Sequence, residues 1–294
     1  MSQKIASVNV NGIRAAASKD PGFHDWLRTA DVDIVLLQEV RATPAQAAKA
    51  LAPALEEGWH LTLADSAAKG RAGVALLTKR EVSDVRTGVP GFEDSGRFVS
   101  ALVDDLFIAS LYLPTGSVGT PKQDEKYRFL DSLEDVLAEI AATHEKAVVA
   151  GDWNICHAPN DLKNFNANKK KAGCLPDERA FMDAIFGTFP YEESQVERHG
   201  EFEGAVEYRG NRKREASTSP HWFDVARRLH PEDAPYTWWT YRGKAFDTNA
   251  GWRIDVQAAT KAMMERAVQT RVDRADAWGT RWSDHAPLVV EYRD

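Results

Sequence analysis

Four short polar clusters stand where apolar runs end: 9–14 (NVNGIR), 38–41 (QEVR), 151–154 (GDWN) and 283–287 (SDHAP). A carboxylate or amide beside a buried run must be paired, metal-bound or turned to a cleft, because an isolated buried charge is strongly unfavourable. Asn9, Asn11, Glu39, Asp152, Asn154 and Asp284 offer oxygen donors and amides but no thiolate. Such a set suits Mg²⁺, with Mn²⁺ as its substitute, rather than zinc. His285 adds a group that can carry a proton near neutrality. Any one cluster alone also reads as a strand-end turn cap.

The runs that must position these groups are short and rich in β-branched residues. Segments 4–10, 33–38, 73–79, 98–104, 107–113 and 147–152 read as strands of buried sheets. A helix is expected over 43–55, where Thr43-Pro44-Ala45-Gln46 supplies an N-cap, a first-turn proline and a capping-box glutamine. Another is expected over 122–142, with Tyr127, Leu130, Leu133, Leu137 and Ile140 at helical spacing. Further on, helices near 177–186 and 222–229 precede strands near 236–241, 253–258, 268–273 and 287–292. Segment 187–220, with Gly200, Gly204, Gly210 and Ser217-Thr218-Ser219-Pro220, reads as a long surface loop.

Composition narrows the class. The 294 residues include 43% hydrophobic residues, nine Trp and twelve Phe, enough to build a large core and to exclude a disordered chain. The absence of an apolar run near membrane-spanning length, or of a signal-peptide pattern, leads to the expectation of a cytoplasmic or nucleoid-associated protein without membrane contact. Cys156 and Cys174 sit in neither a disulfide framework nor a zinc spacing and read as inert thiols. A net charge of −7 argues against a protein that coats nucleic acid everywhere. Positive charge is instead local, in Lys163 with Lys169–Lys171 and in Arg209, Arg212, Lys213 and Arg214, while 131–145 is acidic.

The four clusters in this order, with Tyr112-Leu113-Pro114, Gly251-Trp252-Arg253-Ile254-Asp255, KGRAGVALLTK, LPDERAFMD and YTWWTYR, resemble the exonuclease III/abasic endonuclease family across essentially the whole chain. The resemblance implies a four-layer α/β sandwich, two mixed β-sheets packed face to face with helices outside, forming one catalytic domain. It implies hydrolysis of the DNA backbone at abasic sites and damaged 3′ ends of duplex DNA; nothing in the sequence points to an oligomer, so a monomer is expected. Glu39 is then the main metal carboxylate, with Asn9 and Asn11 beside the metal and Asp284 helping to hold it. Some relatives carry Asp where this chain has Asn11, which removes one negative charge. Asp152, oriented by Asn154, positions and deprotonates the attacking water. His285, backed by Asp255, donates to a phosphate oxygen, and Tyr112 and Asn154 share the stabilisation of charge.

By the same resemblance, Trp238, Trp252 and Ile254 line a slot for a flipped-out abasic sugar, and Arg242 wedges into the duplex. Trp238 and Trp239 are adjacent, so only one can face that slot. Lys69, Arg71, Arg97, Lys169, Lys170 and Lys171 are candidates for phosphate contacts. One departure concerns the residue after Tyr-x-Pro, an amide in most relatives and Thr115 here, followed by Gly116-Ser117. A hydroxyl reaches less far, which leaves open a relative restricted to 3′-phosphatase or 3′-exonuclease work. Phosphoesterases of the same fold with other substrates and a non-cutting damage-binding protein are the remaining alternatives; retention of Glu39, Asp152 and His285 speaks against the last.

Overall fold

A computed structural model describes residues 2–197, 202–210 and 212–293. Among them, β1 (Ser2–Asn9), β2 (Ile34–Gln38), β3 (His60–Ala64) and β4 (Val74–Thr78) share the first sheet with β11 (Ala267–Val272) and β12 (Leu288–Arg293). Its order is β11-β12-β1-β2-β4-β3. The second sheet contains β5 (Ser83–Thr87), β6 (Phe98–Val103), β7 (Leu106–Tyr112), β8 (Ala147–Asp152), β9 (Trp222–Asp224) and β10 (Asp255–Thr260), in the order β5-β6-β7-β8-β10-β9. Both sheets are mixed: β1 and β2 run parallel, as do β7 and β8, and the other pairs are antiparallel.

Strand alternation makes the layers. In β2, Ile34 and Leu36 point into the core between the sheets while Val35 and Leu37 point outward. In β8, Val148 and Ala150 point inward and Ala147 and Val149 outward. The outer face of the first sheet is covered by α1 (Ile13–Ser18), α2 (Phe23–Thr29), α3 (Pro44–Ala50) and α4 (Ala52–Glu56), which contribute Ile13, Phe23, Leu27, Ala47 and Ala54. The outer face of the second is covered by the long α5 (Pro121–Thr143), whose Tyr127, Leu130, Leu133, Leu137 and Ile140 are buried as their spacing predicts. After the one-turn α6 (Phe165–Asn168), α7 (Pro176–Phe186) completes that layer; α8 (Val225–Leu229) and α9 (Lys261–Met264) flank β10. The expected four-layer sandwich is what forms.

Several boundaries differ from expectation. The helix over 43–55 is two helices meeting at Leu51, because Pro53 supplies no N–H and is tolerated only in the first turn of a new helix. Its capping box is present, with Gln46 N donating to Thr43 Oγ1 at 3.4 Å and Thr43 N to Gln46 Oε1 at 3.2 Å. Segment 222–229 begins as β9 on the edge of the second sheet, and Asp224 then starts α8 by accepting from Arg227 N at 3.1 Å. Segment 236–241 is not a strand. It is extended chain whose Trp238 bridges Trp252 on one side and His285 on the other. The short α1, α2 and β3 and the edge strand β5 were not foreseen; β5 is exposed along its whole length and has no apolar alternation to read.

The described residues of 187–220 contain no helix or strand; 198–201 and 211, Gly200 among them, lie outside the described residues. This loop is a strap on α5. Arg214 donates to Glu134 and Asp131 at 2.7 Å each and Arg212 to Asp135 at 2.6 Å. Two of the four cations of the second basic cluster thus pair with Asp131, Glu134 and Asp135 of α5.

Candidate active site

Parallel pairing puts the ends of β1 and β2 side by side, and those of β7 and β8 likewise, while the start of antiparallel β12 lies beside the end of β1; bonds from Asn9 to Asp152 and from Ser283 to Asn9 then hold all four polar clusters at one edge of the sandwich. In β7 and β8 Tyr112 stands opposite Asp152, which in turn stands opposite Asp255 of β10. The Asn9 amide links the sheets, its Nδ2 donating to Glu39 Oε1 and Asp152 Oδ2 at 3.0 Å each. Asp152 also accepts from Asn154 N at 2.9 Å and Asn154 Nδ2 at 3.3 Å. His285 bonds Asp255 Oδ2 through Nδ1 at 2.8 Å, and its Nε2 lies 3.7 Å from Asp152 Oδ2. Ser283 fixes the turn carrying His285, donating to Asn9 O at 2.7 Å and accepting from His285 N at 3.2 Å.

The backbone is bent to present these groups. Glu39, Arg41, Asn11 and Asn154 all have φ between 46° and 50°, a left-handed conformation that is unfavourable for a residue bearing a Cβ. For Glu39 and Arg41 it is held by a lattice of main-chain bonds: Gly12 N to Glu39 O at 2.8 Å, Val40 N to Gly73 O and Arg41 N to Ala72 O at 2.9 Å. The turn aims Glu39 at Asp152 instead of continuing β2.

Among the described residues, Glu39, Asp152 and His285 form the one group of three ligand-capable side chains whose donor atoms lie within 4.8 Å of one another. Arg41 pairs with Glu39 Oε2. Asp284 is offset: it accepts from Asn11 Nδ2 at 2.8 Å and from Trp238 Nε1 at 3.0 Å, while Asn11 N donates to Asn9 Oδ1 at 3.0 Å. Asn9 is therefore the joint between the two groups. Burial raises the Asp152 carboxyl, Asp255 and Glu39 add to the rise against the pull of His285, and the group is pushed up to about 8. Burial alone would lower the His285 imidazolium, but Asp255 and Asp152 prevail and push it up to about 10. Asp255 Oδ1 is buried without a hydrogen-bond partner. So much crowded negative charge around hard oxygen donors fits a divalent cation. Burial, with the charges of Glu39 and Asp152, also drives the Tyr112 phenol far above its usual range, so it remains a hydroxyl donor.

Beside this cluster Trp238 and Trp252 meet edge to face with ring centres 5.8 Å apart, and Ile254, Leu162, Cys156 and Cys174 close an apolar wall behind them. Trp239 points away and is 2% exposed against Phe246 and Ala286, so one indole of the pair faces the cleft, as neighbour alternation requires.

Residues 6–285 match the model of the Endonuclease/Exonuclease/phosphatase family. The chain belongs to that family. It is 31% identical to the DNA repair nuclease APEX1 of Danio rerio, over 98% of this chain and 81% of that one, and 28% identical to an exodeoxyribonuclease of Bacillus subtilis, over 98% of both. The structure of the 3′-5′ exonuclease NExo of Neisseria meningitidis superposes with a TM-score of 0.78 at 27% identity, covering 99% of each chain. The resemblance to the exonuclease III/abasic endonuclease branch of the family thus stands.

The outer candidates spread around the family's cleft. Arg97 is half-buried, its guanidinium carbon 5.0 Å from the Tyr112 ring centre, and with Arg71, Thr115 and Lys122 it lines a groove of about 780 Å³ that Glu93, Asp94 and Glu125 also line. Lys69, Arg71 and Arg242 are exposed. Lys169, Lys170 and Lys171 are exposed on the Trp252 side, after α6, whose Phe165 packs on the Trp238–Trp252 wall. Among the described residues no helix is long and apolar enough to cross a membrane.

Two supports escaped the sequence reading. The buried Lys126 of α5 donates to Asn154 O at 2.9 Å and Thr115 O at 3.3 Å and pairs with Glu178 at 2.9 Å, tying the Asp152 turn to the Thr115 loop. Gly116 is needed there, since a Cβ would lie 2.5 Å from Gln123 Oε1 and φ is +76°. The second is an ion network under the Trp252 segment. Arg253 donates to Asp161 at 2.7 and 3.2 Å and to Asp224 at 2.7 Å, and Arg227 also pairs with Asp161. Its only hint is an arginine inside an apolar run.

Burial by itself would raise the Asp161 carboxyl, but Arg253 and Arg227 hold it down at about 2. A folded value below the unfolded one stabilises above the unfolded range, and the contribution is lost as pH falls from about 4 towards 2. Asp161→Asn leaves two buried guanidinium groups short of charge, and is expected to lower the unfolding free energy by about 3–5 kcal/mol at pH 7 in urea titrations. A loss below about 1 kcal/mol would remove the network from the fold's support.

Proposed function

We propose that the chain is a divalent-metal-dependent DNA phosphodiesterase that incises duplex DNA at abasic sites and clears damaged 3′ ends, leaving a 3′-hydroxyl. One observation carries this reading: the buried Asn9–Glu39–Asp152–His285–Asp255 cluster shares its edge of the sandwich with the apolar Trp238–Trp252–Ile254 wall. A deoxyribose without a base fits such a slot, whereas a complete nucleotide would overfill it. The identity to a DNA repair nuclease and to an exodeoxyribonuclease supports DNA as the substrate.

The roles follow from the hydrogen bonds. Asp152, held by Asn9 and Asn154, accepts a proton from the attacking water. Water oxygen bonds to phosphorus, the bond from phosphorus to the 3′-oxygen breaks, and that oxygen leaves with the bonding pair and takes a proton from solvent water to become the 3′-hydroxyl. His285 has Nδ1 engaged by Asp255, which orients the ring and leaves Nε2 to donate to a phosphate oxygen. Tyr112 and the Asn154 amide add donors to the same phosphate. Mg²⁺, or Mn²⁺ in its place, would be held by Glu39 with Asn9, Asn11 and Asp284 around it, and supplies polarisation of the phosphate and charge that keeps Asp152 ionised. Arg97, Thr115, Lys169 and Lys170 hold the DNA backbone and Arg242 fills the space beside the lesion. The chain acts as one catalytic domain and as a monomer, in the cytoplasm beside the nucleoid.

The test resolves cleavage of three duplexes on a gel, each with Mg²⁺ and with EDTA: one with a central abasic analogue, one intact, one with a 3′-phosphate at a nick. Mg²⁺-dependent incision at the analogue is expected. Cleavage confined to 3′ ends would favour the 3′-restricted alternative, for which the short Thr115 side chain and the likeness to a 3′-5′ exonuclease speak.

A further inference from the structure

Large apolar side chains are seldom exposed on this surface, yet two of them touch. Tyr241 is 39% and Trp278 47% exposed, and their rings meet edge to face with centres 6.3 Å apart. Beneath them lies Arg281, 5% exposed, its guanidinium carbon 4.5 Å from the Tyr241 ring centre, 5.7 Å from that of Trp278 and 4.4 Å from that of Phe246. Nη1 of Arg281 donates to Trp239 O at 2.9 Å, while its buried Nε and Nη2 have no hydrogen-bond partner. Ring faces are what those donors meet, so the guanidinium serves as the floor of an aromatic cage.

The cage is tied to the cleft through the main chain: Trp239 N, two residues before Tyr241, donates to Asp284 O at 3.0 Å, next to His285. Arg242, which follows Tyr241, is exposed as well. Neither ring helps to line the wall of Trp238, Trp252 and Ile254.

We propose that Tyr241 and Trp278, seated on Arg281, form a stacking platform for a nucleobase of the DNA flanking the incised position. This rests on the reading of the chain as a DNA phosphodiesterase. A base beside an abasic sugar has one π-face without a stacking neighbour, so stacking on exposed rings adds affinity without reading sequence, and the cation below keeps the platform rigid and attractive to the adjoining phosphate. It supplies affinity that a chain with net charge −7 does not gain from a broad basic surface.

The experiment uses the full chain and a duplex with a central abasic analogue, with Ca²⁺ replacing Mg²⁺, and 2-aminopurine substituted in turn at each flanking base. The wild-type protein is expected to change the 2-aminopurine signal at one flanking position. Trp278→Ala should abolish that change and raise Kd by roughly 5- to 100-fold, whereas Trp278→Phe should retain both properties. Val85→Ala, on the distant edge strand, is the exposed apolar control. Equal Kd and equal signal in Trp278→Ala and wild type would overturn the platform. So would a loss accompanied by a lowered urea midpoint in Trp278→Ala and Trp278→Phe alike, which marks a structural role. If the wild-type protein neither binds the duplex nor incises it with Mg²⁺, the DNA reading falls and the platform falls with it.

Discussion

Asp152→Asn is expected to lower kcat on an abasic-site duplex by at least about 10³-fold, with DNA affinity within a few-fold of wild type. The substitution keeps the shape and the hydrogen bonds that the side chain can still make. It removes the negative oxygen that, in the proposed mechanism, takes the proton of water. An amide has no basic oxygen to take that proton, which is why so large an effect follows from one substitution. Rapid-quench single-turnover cleavage beside anisotropy binding separates the two quantities. Near-normal single-turnover rates would take Asp152 out of the chemistry, and a parallel loss of affinity would make it a binding residue.

Glu39→Gln is the second substitution with a large expected effect. Glu39 is the acid that main-chain bonds force into a left-handed turn, which orients it towards Asp152 and the Asn9 amide. Losing its charge should weaken apparent Mg²⁺ affinity by about 10²-fold or more, because oxygen sites for hard cations are tuned by the number of charged ligands. Cleavage followed across a Mg²⁺ titration should show activity at low Mg²⁺ lost and partly recovered at high Mg²⁺. An unchanged titration midpoint would mean that Glu39 acts through Arg41 rather than on a cation.

The site was legible in sequence because its residues are grouped at strand ends, and parallel pairing of β1 with β2 and of β7 with β8 brings such ends together by rule. The fold was legible where apolar alternation or helical spacing ran long enough, as in β2, β8 and α5. It was not legible where tertiary contacts decide. The extended Trp238 segment looked like a strand because its aromatics favour one, yet it bridges Trp252 and His285 singly instead of joining a sheet. Asp161 and Arg253 are 92 residues apart, and nothing local marks them as partners. Likewise the basic cluster at 209–214 reads as part of a surface loop, and nothing local shows that Arg212 and Arg214 pair with the acids of α5.

The most direct measurement is single-turnover incision of a natural abasic site in ¹⁸O-enriched water with Mg²⁺, with both fragments weighed by mass spectrometry. Hydrolysis by a water activated at Asp152 requires one ¹⁸O in the phosphate of the fragment that carries the abasic sugar, and an unlabelled 3′-hydroxyl on the other. An unlabelled phosphate and an unsaturated sugar left on a 3′ end would mean elimination instead of hydrolysis, and would contradict the account.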